Sequence, residues 1–228
     1  MTVVEHGDAD LAPIAAAIGD PARALMLSAL LGGRSLPATE LARVGRVAPS
    51  TASAHLARLT GAGLLQVERH GRHRYHRLAD EHVAHALEAL AAIAPPRPVR
   101  SLSAASQSSA ERAARSCYDH VAGSLGVAIT DRLCQMGTLE SRSLALLEPT
   151  ALEPLGIDVE QLPAGRRPLT RPCLDWSERR HHVAGQLGAA ILGVLLDRRW
   201  VLRARHGRAL ILTPAGRAGL RRTIRLEA

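Results

Sequence analysis

The chain has 228 residues, which is long enough for two small domains with a core each. Its formal net charge of +8 favours an anionic partner such as nucleic acid. Aromatic residues make up 2% and Phe is absent, so the composition argues against binding single strands by base stacking. No run of about 18 apolar residues occurs, which excludes a membrane-spanning helix. We therefore expect a cytoplasmic protein with no membrane partner, and its three cysteines suit reduced thiols better than disulfides.

Three short helices are predicted in the first 45 residues. The first covers residues 11–18. The second begins after Asp20, a capping residue, with Pro21 in the first helical position, and it ends at a glycine pair. The third covers residues 36–44 and is expected to support the helix that follows it.

Residues 47–78 predict a helix, a glycine stop and a two-stranded hairpin. Pro49 suits a first helical turn, and Ala52, Leu56 and Leu59 form an apolar stripe at i, i+4 and i+7. The opposite face carries four short or ring-bearing polar groups and one arginine: Ser50, Thr51, Ser53, His55 and Arg58. We expect the first four to reach base edges in the major groove and the arginine to contact phosphate.

The hairpin after this helix has a basic tip. Gly71 stands at the turn, which is crowded with cationic side chains: Arg69, Arg72, His73 and Arg74. A basic hairpin beside a groove-sized helix is typical of the winged helix-turn-helix. We expect the wing arginines to hold phosphates, so replacing Arg72 should weaken binding to all DNA sequences alike.

Three segments resemble the ArsR/SmtB family of transcriptional repressors. They are IGDPARALMLSALLGG at 18–33, LPATELARV at 36–44 and STASAHLARLTGAGLL at 50–65. The resemblance spans roughly the first 95 residues. It implies a homodimer that binds double-stranded operator DNA and is released by a ligand.

The sequence departs from the two metal sites known in that family. Where its best-known sensors have cysteines, this chain has Pro37, Ala38 and Thr39. The helix after the wing keeps only part of the second ligand set: Asp80, His82, His85 and Glu88. The switch of this chain is therefore expected elsewhere.

A domain boundary is predicted where prolines and serines follow the helix at 83–93. The resulting division is a DNA-binding and dimerisation domain at 1–94, a linker at 95–109 and an effector-sensing domain at 110–228. The expected fold class is mainly α with small β-hairpins, α+β.

A four-residue motif at the wing occurs a second time near the C-terminus. Arg69-His70-Gly71-Arg72 recurs as Arg205-His206-Gly207-Arg208, again between two short apolar strands and after a helix. One interpretation is a degenerate winged-helix-like domain that no longer reads bases. The other is two unrelated hairpins in an arginine-rich chain.

In the second half of the chain, cysteine, histidine and aromatic residues cluster in two places. A helix is predicted over residues 110–123. A second is predicted from Asp175, whose spacing to Glu178 is that of a capping box, to about residue 197. If these helices meet, thiols and imidazoles converge in an effector site. Its candidate residues are Cys117, Tyr118, His120, Cys173, Trp176, Arg179, His181 and His182.

Three kinds of effector fit these residues. Cys117 and Cys173 with a histidine would suit a soft metal or metalloid such as Zn(II) or As(III). A thiol switch would use Cys173, placed beside arginines at a helix N-terminus. A small organic ligand would pack against Trp176 and Tyr118 while arginines hold an anionic group. The remaining alternative has no cofactor, with the cysteines packed as small hydrophobes.

The sequence therefore predicts a sequence-specific DNA-binding regulator, a repressor released by an effector in the C-terminal domain. The alternatives are a ligand-independent architectural DNA-binding protein and a Cys-dependent enzyme. Because no phosphate-binding loop and no nucleophile elbow accompany the Cys and His residues, we do not expect an enzyme.

Overall fold

The computed structural model describes residues 8–71, 73–95, 101–163, 165–205 and 207–227. The chain divides into two compact units. The first comprises Met1–Leu30 and Arg34–Asp80, and the second comprises Leu31–Gly33 and Glu81–Ala228. Helices dominate, and the strands form small antiparallel sheets, which confirms the predicted fold class.

The first unit is a winged helix-turn-helix. Its elements are α1 (Ala12–Ile18), α2 (Pro21–Leu30), β1 (Leu36–Pro37), α3 (Ala38–Gly45), α4 (Pro49–Gly61), β2 (Leu65–His70) and β3 (His73–Leu78). The three strands pair in the order β1-β3-β2. The Asp20 carboxylate accepts a hydrogen bond from the Arg23 backbone N–H at 3.0 Å, so the predicted cap is confirmed.

The core of the first unit anchors α4. Ala52, Leu56 and Leu59 are buried, as their spacing predicted. They lie with Met26 and Leu41, which α2 and α3 contribute to the buried apolar residues. The opposite face of α4 is consequently left at the surface.

The second unit combines helices with two-stranded hairpins. Its elements are α5 (Glu81–Ile93), α6 (Leu102–Ala113), β4 (Arg115–Cys117), β5 (His120–Ala122), α7 (Gly123–Gln135), two 3-10 helices (Thr150–Leu155 and Val159–Gln161), β6 (Arg171–Leu174), β7 (His181–Ala184), α8 (Gly185–Asp197), β8 (Val201–Arg203), β9 (Leu210–Leu212) and α9 (Pro214–Ile224). Its main core joins α7, α8 and α9 through Leu133, Leu187, Ile191 and Leu220.

Two segments of this unit repeat the same hairpin and helix. Both β4-β5-α7 and β6-β7-α8 contain R-x-C-x-D followed by H-V-A-G-x-L-G-x-x-I. The helices begin at Gly123 and Gly185, with φ of 77° and 82°, a conformation that side-chain-bearing residues rarely adopt. A Cβ at Gly123 would lie 2.5 Å from the Arg112 carbonyl oxygen, so glycine is required there.

The predicted helix over residues 110–123 is wrong. Helix α6 ends at Ala113, Ala114 is extended, and the chain then forms the β4-β5 hairpin. The serine-rich stretch is helical, because the Ser101 side chain accepts a hydrogen bond from the Ala104 N–H at 3.1 Å and caps α6. Residues 96–100 of the predicted linker lie outside the described residues.

The second predicted helix starts ten residues later than expected, at Gly185 rather than Asp175. The Asp175 carboxylate does accept hydrogen bonds from the Ser177 and Glu178 backbone N–H groups, at 2.9 and 3.0 Å. These bonds stabilise the turn between β6 and β7. Because Cys173 lies on a strand, the thiolate-favouring helix N-terminus that we predicted for it is absent.

The C-terminal hairpin forms where it was predicted. Thr213 caps α9 by accepting a hydrogen bond from the Gly216 N–H at 3.0 Å, and Pro214 opens the helix. His206 of the repeated motif lies outside the described residues. Arg208 forms a buried ion pair with Glu88, so this copy of the arginine faces inward.

Candidate metal centre and DNA interface

Helix α4 presents a polar face to solvent. Ser50, Thr51, Ser53 and Arg58 are exposed, as a helix that reads DNA requires. His55 differs from them. It is half-buried, and its Nδ1 lies 3.1 Å from Arg23 Nη1. The three hydroxyl side chains therefore lie at the surface, where Ser53 donates a hydrogen bond to the Pro49 carbonyl at 3.0 Å, and the imidazole is held within the unit.

The wing presents cations at its tip. Arg69 and Arg74 are direct cross-strand neighbours, and both are exposed together with His73. Arg72, the fourth predicted wing residue, lies outside the described residues. The described part of the tip matches the basic hairpin that the sequence predicted.

Four buried side chains of the second unit converge on one point. They are Cys117, His120, Cys173 and His182, each at most 3% exposed. Their ligand atoms all lie within 4.8 Å of one another. The two Sγ atoms are 3.8 Å apart, and the two imidazole ring centres are 5.0 Å apart. Of the eight predicted effector residues, the structure brings these four together.

The repeated hairpins explain this convergence. Cys117 is the cross-strand neighbour of His120, and Cys173 is the cross-strand neighbour of His182. Each hairpin therefore supplies one thiol and one imidazole. Strands β5 and β7 pack against each other, so the two pairs face one another in the core of the second unit.

Each histidine has an aspartate beside its Nδ1 atom. His120 Nδ1 lies 3.4 Å from Asp119 Oδ1, and His182 Nδ1 lies 3.7 Å from Asp175 Oδ2. Among the described residues, the Nε2 atoms of both histidines are buried and have no hydrogen-bond partner. In metal sites a carboxylate commonly orients the imidazole in this way while the other nitrogen binds the ion.

The two aspartates are themselves held by arginines. Arg167 donates two hydrogen bonds to Asp119, at 2.6 and 2.9 Å. Arg115 donates to Asp175 at 3.0 Å, and the Gly123 backbone N–H donates to the same oxygen at 2.7 Å. Residues at matching positions in the two repeats thus support both histidines with an ion-paired carboxylate.

Burial and pairing shift the pKa values of this cluster. The thiol–thiol hydrogen bond with Cys173 and the lack of solvent raise the pKa of Cys117 well above its ordinary value. Burial, with His120 nearby, lowers the pKa of His182. Burial alone would raise the pKa of Asp119, but hydrogen bonds from His120 and Arg167 outweigh it and lower the value to about 2. Without a metal, the Cys117 thiol is therefore favoured in its neutral form beside an ionised Asp119 carboxylate.

The donor set and its dimensions fit a tetrahedral ion. With Zn–S bonds of about 2.3 Å, two thiolates in a tetrahedron are about 3.8 Å apart. The observed separation of the Cys117 and Cys173 Sγ atoms is 3.8 Å. Two thiolates and two imidazoles form a Cys2His2 set, which is typical of structural Zn(II) sites.

The other predicted effector residues lie outside the cluster. Arg179 and His181 are exposed. The ring of Trp176 has the Arg115 guanidinium over it, 4.6 Å from the ring centre, so that face is already occupied. Tyr118 is half-buried and lines a small cavity, of about 10 Å³, with Cys117 and His120.

The sequence interpretation gave no site role to the aspartates and arginines that support the cluster, although Asp119 and Asp175 stand next to the predicted residues. Asp119, Asp175 and Arg115 were not among the predicted site residues. The signal that identifies them is the repeat of R-x-C-x-D in the two halves of the second unit. A repeat that preserves a thiol, an imidazole and a carboxylate indicates one composite site.

The first unit, with its exposed α4 face and basic wing, defines a DNA-binding transcription regulator. Residues 18–68 match the family described as a helix-turn-helix domain. The chain is also 40% identical over 223 residues to the uncharacterized HTH-type transcriptional regulator YdfF of Bacillus subtilis strain 168, a match that covers 96% of this chain and 98% of that protein. The chain belongs to the ArsR family of winged helix-turn-helix transcriptional regulators.

Solved structures are similar to part of the chain. A homodimeric winged helix-turn-helix domain of a possible ArsR-family regulator from Mycobacterium bovis is 27% identical, covers 37% of this chain and 84% of that one, and has a TM-score of 0.33. The cadmium metal-sensor CMTR from Mycobacterium tuberculosis is 34% identical, covers 40% and 99%, and has a TM-score of 0.32. Among the described residues, no helix has the length and apolar character to cross a bilayer.

Proposed function

We propose that this regulator is a repressor that binds double-stranded operator DNA as a homodimer and is released by an effector held in its second unit. The observation that carries the proposal is the division of α4 into two faces. Ala52, Leu56 and Leu59 fix the helix to the core, and the opposite face is exposed. A helix held in this way can enter the major groove without losing its support.

The exposed face of α4 is suited to reading base edges. Ser50, Thr51 and Ser53 carry short hydroxyl side chains that donate or accept hydrogen bonds. Ala54 and Ala57 are exposed beside them and add little bulk, so the helix backbone can approach the bases closely. These hydroxyl groups supply the sequence-dependent part of binding.

The wing and the end of α4 supply the sequence-independent part. Arg58, Arg69 and Arg74 are exposed and reach outward from the same unit. Guanidinium groups bind phosphate oxygens and release condensed counterions, so this part of the affinity falls with salt. In a homodimer, two such units would occupy successive major grooves about 34 Å apart.

We place the effector-binding site in the second unit. Its buried cluster is the chemically distinctive feature outside the DNA interface. An organic ligand is a weaker candidate, because the cavity beside Tyr118 has a volume of about 10 Å³, room for about one water molecule. Small-molecule sites usually enclose about 300–1,000 Å³.

The proposal is tested by fluorescence anisotropy with purified full-length protein. The labelled duplex is taken from upstream of the protein's own gene, and a shuffled duplex of the same composition is the control. We expect the upstream DNA to bind about 10³-fold or more tightly than the shuffled DNA, with two chains per site. Equal affinity for the two duplexes would instead support an architectural DNA-binding protein.

A further inference from the structure

We propose that Cys117, His120, Cys173 and His182 bind one Zn(II)-class divalent ion in a closed tetrahedral site, and that this ion is the effector that releases DNA. The binding site stands on the geometry of the second unit alone. The regulatory half of the inference rests on the function proposed above.

The two imidazoles of the cluster have ring nitrogens that lack the hydrogen bonds buried nitrogens usually make. Nε2 of His120 and both ring nitrogens of His182 are buried without a hydrogen-bond partner among the described residues. A buried polar atom without a partner is destabilising, so a core would not retain the two Nε2 atoms in this state without compensation. An ion bound to both Nε2 atoms would provide that compensation.

The residues around the cluster are of the kind that surround the ligands of a bound metal ion. Asp119 and Asp175 lie beside Nδ1 of the two histidines, which favours the tautomer with Nε2 free to bind. Both carboxylates are fixed by arginine side chains. Asp119 lies within hydrogen-bond distance of His120 Nδ1, and Asp175 lies slightly farther from His182 Nδ1, at 3.7 Å. Such outer partners typically affect metal affinity 10–100-fold.

The repeat gives a reason why the site is composite. A single hairpin offers one thiol and one imidazole, which is half of a tetrahedral set. Packing of the two hairpins brings the halves together. The ion would thus cross-link two segments that lie more than 50 residues apart in sequence, with Cys117 and Cys173 separated by 56 positions.

The alternative uses of the two thiols fit the geometry less well. The Sγ atoms are 3.8 Å apart, a contact of two free thiols, and a disulfide between them would leave the two buried imidazoles without a role. Simple packing as small hydrophobes would account for the cysteines but not for two buried imidazoles with carboxylates behind them. A metal accounts for all four side chains.

One strand connects the site with the helix that follows the wing in the chain. Arg171 lies two residues before Cys173 on β6, and its Nη2 is 3.5 Å from Glu81 Oε2. Glu81 is the first residue of α5, which directly follows the first unit in sequence. A shift of β6 on metal binding is therefore transmitted to the start of α5.

Metal binding is measured with Co(II) as the spectroscopic probe. The full-length protein is reduced, freed of metal with a chelator and titrated with Co(II). We expect tetrahedral d–d absorption and a thiolate-to-metal charge-transfer band that saturate at one equivalent per chain, and loss of both bands on addition of Zn(II). A titration without these bands would overturn the site.

Substitutions identify the side chains that bind the ion. Cys117→Ser and His182→Gln should abolish the tetrahedral Co(II) spectrum, and Cys134→Ser should retain it, because Cys134 is the cysteine outside the cluster. In case a ligand variant does not fold, alkylation of the wild-type protein provides a second measure. Zn(II) should protect Cys117 and Cys173 but not Cys134, and equal labelling of all three would contradict the assignment.

Measurement of DNA binding distinguishes the metal-site proposal from the repressor proposal. Zn(II) should lower operator affinity in the wild type and the Cys134→Ser variant by about 5- to 150-fold, the usual range of allosteric coupling. If the ion binds but operator affinity is unchanged, the site is structural and its effector role is wrong. If metal-free protein does not prefer operator DNA, the repressor proposal fails while the Co(II) result stands.

Discussion

Arg115 and Asp175 form an ion pair of 3.0 Å in which both side chains are completely buried. Arg115 begins strand β4, and Asp175 follows strand β6, so the pair joins the two hairpins that carry the four Cys and His side chains. The pair also explains why Asp175 stays ionised. Burial would raise its pKa, but Arg115, Ser177 and the Gly123 N–H outweigh burial and hold the pKa well below its usual range.

Removing one partner of this pair should destabilise the protein strongly. Asp175→Asn leaves the Arg115 charge buried without a counter-charge, which typically costs about 3–5 kcal/mol. The measurement is the urea midpoint of the second unit, followed by circular dichroism. Arg180→Ala is the matched control, because the Arg180–Asp131 pair is exposed and should contribute about 1 kcal/mol or less. Similar midpoints for both variants would show that the buried pair does not hold the hairpins together.

Substitution at the exposed face of α4 should reduce specificity. Thr51→Ala removes a hydroxyl group that we place at a base edge, so operator binding should weaken by about 0.5–1.5 kcal/mol, the contribution of one hydrogen bond, while affinity for shuffled DNA is unchanged. Thr60→Ala, also exposed but at the end of α4, is the control. Equal losses of affinity for both duplexes would show that Thr51 does not contact a base edge.

Substitution at the wing should have the opposite signature. Arg74→Ala should weaken operator and shuffled DNA by similar factors and reduce the slope of log K against log salt by about 1. Arg205→Ala provides a matched exposed arginine on the C-terminal hairpin. A loss confined to the operator would show that Arg74 reads sequence.

Arg167 should control how quickly the ion enters and leaves. The small cavity beside Tyr118 reaches Cys117 and His120, and Arg167 lines it while pairing with both Asp119 and Glu81. Arg167→Ala removes a side chain that lines the cavity next to the ligands. A chelator should therefore extract the metal faster, while the tetrahedral Co(II) spectrum is retained. The rate is followed by stopped-flow absorbance. An unchanged rate would mean that metal exchange does not pass through this cavity.

The first unit could be predicted because its signals are local. Pro21, Pro49 and the stripe from Ala52 to Leu59 specify helices within a few residues of themselves, and each of these helices forms. Strand β1 was missed because its two residues, Leu36 and Pro37, become a strand only by pairing with β3. Local sequence gives little sign of so short a strand.

The second unit shows where local signals mislead. Asp175 and Glu178 have the spacing of a helix start, but the same side-chain hydrogen bonds close a turn between strands. Cys117 and His120 were expected to share a helix face and are instead cross-strand neighbours, and either arrangement brings them close. Cys173 and His182 meet Cys117 and His120 only because two hairpins about 60 residues apart in sequence pack together. No local sequence pattern encodes such packing.

The central claim is that an ion held by the four buried ligands weakens operator binding. The most direct measurement is the anisotropy of a labelled operator duplex bound to reduced, metal-free protein while Zn(II) is added. We predict release at one equivalent of Zn(II) per chain for the wild type and the Cys134→Ser variant, and none for Cys117→Ser. Release that is equally strong in Cys117→Ser, or no release in the wild type, would contradict the claim.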